Sequence, residues 1–440
     1  MTYAEATEFL FSLRRFGWRL GLETVRRLLD LLDNPQQTVP SAHIGGTNGK
    51  GSTAAMLSAI FQAAGYRTGL YTSPHLLNFT ERIRINGAPI PEREVTRLTA
   101  RLKDLCAAHF AHHAIPNPPS DRLPHPTFFE LTTAMAFQHF ARQAVEAAVI
   151  EVGLGGRFDA TNVITPHVAV VTNVSLEHQE YLGRTLAEIG MEKAGIIKSG
   201  VPVVTASRGE GHEVIRRTAA ERGAPLVQVQ EAYAFSVRES GLAGQVLDLT
   251  GPSRRYEALW IPLAGRHQAE NAVTAIAAAE VLEAQGFRLG EGAIRRGLQE
   301  ARWPGRLQVV SERPRILLDG AHNPAGAQAL AAFLAEHRPT LNRLILVFGV
   351  LRDKDWEAML ALLGPFADQT ILTHPPADRG ADPHELVMAD RYCSKVEIAA
   401  DPAEGLALAR AVAGPDDTIL VTGSLYTVAA ALRALEVPVP

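Results

Sequence analysis

The densest chemistry in this chain lies in eight residues, Gly45-Gly46-Thr47-Asn48-Gly49-Lys50-Gly51-Ser52. Glycines let backbone N–H groups point inward, and a helix starting there adds partial positive charge. A lysine can then reach terminal phosphates, and a hydroxyl can reach Mg²⁺. The run therefore reads as a phosphate-binding loop, with Asn48, Gly49, Lys50, Gly51 and Ser52 as its contacts. The usual spacing is not met: the first glycine of that pattern falls on Ile44, and Gly51 separates Lys50 from Ser52. A plain Gly-rich turn is the bland alternative.

Other polar residues sit where strands should end. Glu151 closes the apolar run Ala147 to Ile150, and His178 follows Val168 to Val171 by a short loop. Both fall at the carboxyl edge of a parallel sheet, where such sheets bind ligands. A carboxylate suits Mg²⁺; a histidine is a less natural ligand, so His178 is either a metal ligand or a loop residue. Arg306, Asp319 and His322 have bland readings as a linker ion pair, a strand-end cap and a turn. Arg82 and Arg84 can attract carboxylates or simply belong to a solvated hairpin. Phe128 and Phe129 offer aromatic faces to a flat ring or fill a core. Gly153-Leu154-Gly155-Gly156-Arg157-Phe158 fails the dinucleotide fingerprint, because Phe158 stands at its third glycine.

Elements must position these groups. Leu22, Val25, Leu28, Leu29 and Leu32 predict a helix that stops at Asn34-Pro35. Ser41 to Ile44 reads as a strand before the loop, Ala55 to Ala64 as the helix after it, and Thr68 to Thr72 as the next strand. The Pro-rich stretch 115–126 reads as a loop, followed by a helix through Phe129 to Phe140. Strands are expected at Ala147 to Ile150, Val168 to Val171 and Val201 to Val204, nearly all apolar as in buried parallel sheets. Residues 225–262 look antiparallel, and helix returns from Gln268 to Gln285. Past Ala301 to Pro304, strands near residues 316, 344, 370, 396 and 418 alternate with helices. The fold class expected is α/β. A mainly parallel P-loop-type ATPase domain over 1–300 is followed by a smaller Rossmann-like domain over 301–440.

The motifs together resemble the folylpolyglutamate synthase and dihydrofolate synthase family, relatives of the muramyl ligases. The resemblance covers nearly the whole chain: the phosphate loop, Leu20-Gly21-Leu22-Glu23, Thr72-Ser73-Pro74-His75-Leu76, Thr127-Phe128-Phe129-Glu130 and the segment from Glu151 to Asn162. It continues through Glu192 to Lys198, Pro304-Gly305-Arg306, Asp319 to Pro324, Asp353-Lys354-Asp355 and Thr422 to Tyr426. Only 45 residues precede Gly46, too few for the domain that muramyl ligases carry there.

The resemblance implies an ATP-dependent amide ligase that joins L-glutamate to dihydropteroate or to a reduced folate through an acyl phosphate. It implies Ser73, Glu151 and His178 as ligands of magnesium, with two ions expected. It implies a carbamylated Lys193 that helps hold the second ion. Asn271, Arg306 and Asp319 become ATP contacts, and His322 a catalytic neighbour of the phosphates. Thr127, Phe128, Phe129, Glu130 and Asp159 become pterin contacts. The family usually has Asp where this chain has Glu177. Bifunctional members can carry an acidic residue where this chain has Arg19, which leaves a monofunctional folylpolyglutamate synthase as the second reading. A nucleotide-driven regulatory protein would not need the acceptor segment, and a small-molecule kinase would release a phosphorylated product instead of phosphate.

Composition sets the outer limits. The 440 residues are 46 % hydrophobic and 20 % charged, which excludes disorder and collagen for the whole chain. Net charge is 43 − 47 = −4, so there is no bulk positive field for a nucleic-acid backbone. The longest apolar run falls far short of a membrane span, and two distant cysteines, Cys106 and Cys393, suit a reducing compartment. A cytoplasmic monomer handling small molecules is the expectation.

Overall fold

In the computed structural model, residues 1–17, 19, 21–111, 123–386 and 389–439 are described. Most of the Pro-rich stretch, and Leu20 of the first motif, lie outside them.

Apolar strands assemble first into an eight-stranded sheet. Its order is Ala88–Pro89, Ile83–Ile85, Thr68–Tyr71, Ala147–Glu151, Ser41–Gly45, Val168–Val171, Val203–Thr205 and Leu226–Gln228. The first two strands run antiparallel and the rest are parallel. Every residue of Ser41–Gly45 and Ala147–Glu151 is buried, because helices cover both faces. Register places Ile44 beside Glu151 and Gly45 beside Val171. The loop that begins at Gly46 therefore leaves the sheet next to the Glu151 carboxylate.

On one face pack the helices Lys50–Ala63 and Arg266–Ala284, with Met56, Ile60, Val273 and Ile276 at the centre of the core. On the other pack Tyr3–Ser12, Glu23–Asp30, Glu92–His109 and Phe128–Arg142. The second sheet has six strands in the order Gln308–Glu312, Arg315–Leu318, Thr418–Thr422, Leu344–Phe348, Gln369–Thr373 and Val396–Ala399. The α/β class with a smaller second α/β unit is as expected.

Three local expectations are corrected. Leu226–Gln228 joins the large sheet parallel to Val203–Thr205; only Ala234–Gly241, Gly244–Thr250 and Arg255–Ile261 form the antiparallel unit. Gln308–Glu312 runs antiparallel to Arg315–Leu318, so the second sheet is mixed. Thr72 lies past the end of its strand, where the backbone has begun to turn toward the site.

Candidate active site

The phosphate loop is shaped by contacts that a side chain would block. Gly49 has φ +81°, and a Cβ there would fall 2.3 Å from Asn271 Oδ1. At Gly51 the same atom would fall 2.7 Å from the Trp303 ring. The loop is thus pressed between the helix Arg266–Ala284 and the linker to the second domain. Lys50 begins the helix Lys50–Ala63, and its Nζ donates to Gly46 O at 3.1 Å and Thr47 O at 2.9 Å.

A cavity of about 570 Å³ opens above this loop, between the two domains. Asn48, Gly49, Lys50, Gly51, Ser52 and Asn271 line its floor. Ser73, Glu151, His178 and Lys193 line one wall; Arg306, Asp319 and His322 line the other. The structure thus brings together every nucleotide, metal and catalytic residue that the sequence singled out.

Their environments differ. Glu151 Oε2 accepts from Ser73 N at 3.0 Å, while burial raises its carboxyl, opposed first by the Lys50 charge. His178 sits in the left-handed region at φ +50°, and burial followed by the Lys354 charge lowers its imidazole to about 4. It is therefore neutral at ordinary pH, as a metal ligand must be. Lys193 is 3 % exposed, unlike a surface lysine. Burial, then the charge of Lys50, pushes its amine down to about 7. Asp319 directly follows the strand Arg315–Leu318, with Oδ2 accepting from Leu307 N and Oδ1 from Ala321 N. That ties it to Arg306 through the chain neighbour Leu307. Arg306 itself is half-buried, and desolvation lowers its guanidinium.

Among the described residues, no group of three or more His, Cys, Asp or Glu forms a metal cage. Magnesium does not need one, since it commonly keeps waters and binds one or two carboxylates plus phosphate oxygens. The donor set here fits that habit: one buried carboxylate, a neutral imidazole and hydroxyls. Ser52 Oγ is buried without a hydrogen-bond partner at the loop, an orphan that a cation or phosphate would satisfy.

A second cavity of about 310 Å³ adjoins the first. Thr127, Phe128, Phe129, Glu130 and Asp159 line it, together with Arg19 and Arg82. Thr127 and Glu130 form a reciprocal cap on the helix Phe128–Arg142. The Thr127-x-x-Glu130 spacing carried that signal, and both side chains are engaged with the backbone. Phe128 and Phe129 are half-buried, touching the core on one side and the cavity on the other. Asp159 accepts from Leu154 N, Thr161 N and the Thr161 hydroxyl, so it also fixes the loop at Leu154. Arg82 and Arg84 are both buried, which overturns the solvated-hairpin alternative. Arg82 lies 5.2 Å from the Phe128 ring and donates to His75 Nδ1 at 2.7 Å.

Sequence reasoning missed the partners across the cleft. Lys354, Trp303, His267 and Gln268 all line the larger cavity, as does Glu177, and Asn323 pairs with Asn48 at its floor. Asn323 and Lys354 fall inside the family-like motifs, but their contacts lie 275 and 177 residues away. Nothing local marked His267 or Gln268.

Residues 94–279 match the Mur ligase middle domain, and residues 305–425 match the Mur ligase glutamate ligase domain. The chain is 36 % identical over 427 residues to the dihydrofolate synthase/folylpolyglutamate synthase of Bacillus subtilis, covering 96 % of this chain and 97 % of that one. It is similar to the Mycobacterium tuberculosis folylpolyglutamate synthase complexed with ADP, at TM-score 0.89 and 35 % identity, with 100 % of each chain covered. It is also similar to Escherichia coli FolC in complex with DHPP and ADP, at TM-score 0.87 and 33 % identity, with 99 % of each chain covered. The chain belongs to the dihydrofolate synthase/folylpolyglutamate synthase family.

Proposed function

We propose that this protein is an ATP-dependent ligase that adds L-glutamate to dihydropteroate and to the γ-carboxylate of reduced folates. The observation that carries this reading is the junction of the two cavities. Ser73, Pro74, Gly153 and Leu154 line both. An acceptor seated against Phe128 and Phe129 can thus present its carboxylate where the phosphate loop presents the γ-phosphoryl group of ATP.

In the reaction, a carboxylate oxygen attacks the γ-phosphorus and ADP leaves. The glutamate amine then attacks the acyl carbon, phosphate leaves, and the amine releases its proton. Phosphoryl transfer demands mainly charge stabilisation and positioning. Lys50 and the helix N-terminus behind it meet the phosphates from below. Asn271 and Asp319 hold the nucleotide, and Arg306 reaches the phosphates from the second domain. His322 stands beside them. Closure of the cleft excludes water, which protects a hydrolysable acyl phosphate.

Magnesium, when bound, neutralises phosphate charge; Ser73, Glu151 and His178 are the residues to hold it, with a second ion near Lys193. A carbamate on Lys193 requires the neutral amine. An amine held near 7 by burial and by Lys50 supplies that form at ordinary pH. Thr127, Phe128, Phe129, Glu130 and Asp159 build the acceptor site, the aromatic faces meeting the flat pterin.

The division into 1–300 and 301–440 is supported by the linker Ala301 to Arg306 between the helix Gly290–Glu300 and the second sheet. A monomer is supported by one chain supplying both walls of the site. Two free thiols, Cys106 and Cys393, suit the cytoplasm. A monofunctional folylpolyglutamate synthase is the second reading, favoured by Arg19 in the smaller cavity, where its guanidinium donates to His125 O at 3.1 Å.

The test is ADP release with ATP, Mg²⁺ and either dihydropteroate or tetrahydrofolate, each with and without L-glutamate. Strict dependence on glutamate with both acceptors is expected. Dependence with tetrahydrofolate alone selects the monofunctional reading. Glutamate-independent turnover would mean a kinase or ATPase, and no turnover a regulatory protein.

A further inference from the structure

The segment 172–178 is stitched to the phosphate loop. Thr47 N donates to Asn173 O at 2.9 Å, Asn48 N to Asn173 Oδ1 at 2.9 Å, and Ser175 N to Thr47 Oγ1 at 3.0 Å. Near the end of this segment stands Glu177. Its Oε1 lies 3.1 Å from His322 Nε2 and 3.2 Å from Lys354 Nζ, two groups of the second domain. The Glu177 and Lys354 side chains are each only 8 % exposed. His322 is held at its other nitrogen too, with Nδ1 2.8 Å from Gly320 O. One carboxylate oxygen therefore gathers a ring and an ammonium from across the cleft onto the segment that cradles the phosphate loop.

We propose that Glu177 is a positioning residue that latches the second domain against the phosphate loop and so sets His322 beside the phosphates. The inference rests on the ligase reading for its kinetic consequence, but not for its geometric one. Within its own segment the same oxygen lies 3.7 Å from His178 Nε2, so the carboxylate is fixed from both sides of the cleft. A buried carboxylate with these two donors is an arrangement that neither domain can complete alone. Length matters as well: an aspartate is one methylene shorter and loses reach to both donors at once.

The test combines E177D, E177Q, K354M and the double variant E177Q/K354M. Each single variant is expected to lower kcat about tenfold or more, while the KM for ATP moves less than about threefold, because the latch acts after binding. The double variant is expected to be no worse than the poorer single one, since both remove the same contact. Small-angle X-ray scattering with ADP and Mg²⁺ supplies a readout independent of turnover: the variants should be more expanded than the parent. Thermal melting of each variant shows that folded protein is being compared, and K354M tests the latch away from His178 should the Glu177 variants fail to fold. Losses that multiply in the double variant, unchanged kcat, or unchanged scattering would overturn the latch. If the parent itself shows no glutamate-dependent ADP release, the ligase reading fails instead, and scattering alone decides the latch.

Discussion

Asn48 and Asn323 face each other amide to amide across the cleft. Asn48 Nδ2 donates to Asn323 Oδ1 at 3.1 Å, and Asn323 Nδ2 donates to Asn48 Oδ1 at 3.0 Å. The phosphate loop of the first domain is thereby matched to the start of the helix Pro324–Leu341 in the second. Asn323 Oδ1 also accepts from Gly326 N at 2.8 Å, so it caps that helix as well.

The two asparagines are separable by experiment. N48A and N323A both remove the pair, and each should lower kcat/KM for ATP about tenfold, the worth of one buried hydrogen-bonded contact. Only N323A also removes a helix cap, worth about 1 kcal/mol. Its melting temperature should therefore fall a few degrees below that of N48A, roughly 2–4 °C for a domain of this size. Equal melting temperatures would mean that the cap contributes nothing.

This pair also marks the limit of what was legible. Local signals are strong: the apolar runs mark the buried parallel strands, and the polar Glu151 marks the end of one. The Gly-rich loop announced itself because glycine is demanded by close approach, as Gly49 to Asn271 and Gly51 to Trp303 make plain. Long-range pairing had no such signal. Asn48 and Asn323 are 275 residues apart, and Glu177 meets Lys354 across 177. Arg82 and Arg84 stay open between substrate contacts and a solvated hairpin, because a sequence gives no burial for a cation in a hairpin. Gln308–Glu312 was hidden because an antiparallel edge strand does not follow the strand–helix alternation that reveals parallel ones.

Lys193 predicts a pH dependence whose sign is fixed by its lowered value. The unfolded chain keeps a proton on this lysine to a higher pH than the folded chain, which releases it near 7. Between about 7 and the ordinary lysine value the unfolded state binds more protons, so this group makes stability rise with pH over that window. Its burial penalty is fully present below about 7. Carbamate loading needs the neutral amine, so it should rise as pH passes upward through the same value. Carbon-13 NMR with labelled bicarbonate should show a carbamate signal that grows through this range and is absent in K193A. That variant should lose most turnover, and bicarbonate should not restore it. A K193A enzyme with near-normal rate would contradict the role.

The acceptor cavity makes a contrast between two substitutions. F128A removes an aromatic wall and should raise KM for the pterin substrate about tenfold while leaving KM for ATP unchanged. D159N acts differently, because Asp159 holds Leu154 N, and Leu154 lines both cavities. An amide cannot accept at both of its ends, so the loop shifts and the cost, about 1–3 kcal/mol, should appear in kcat as well. Steady-state kinetics with each substrate varied in turn separates the two. An F128A enzyme whose ATP affinity falls as much as its pterin affinity would show that the cavity is not the acceptor site.

The central claim is that ATP is spent on activating a carboxylate. It is tested most directly with a folate substrate whose γ-carboxylate carries ¹⁸O, turned over with ATP, Mg²⁺ and L-glutamate. The attacking carboxylate oxygen becomes the bridge of the acyl phosphate and leaves with phosphorus when the amine displaces it. The account predicts that each phosphate released carries one labelled oxygen, in step with amide formed. Phosphate released without label, or label transferred equally well without glutamate, would contradict it.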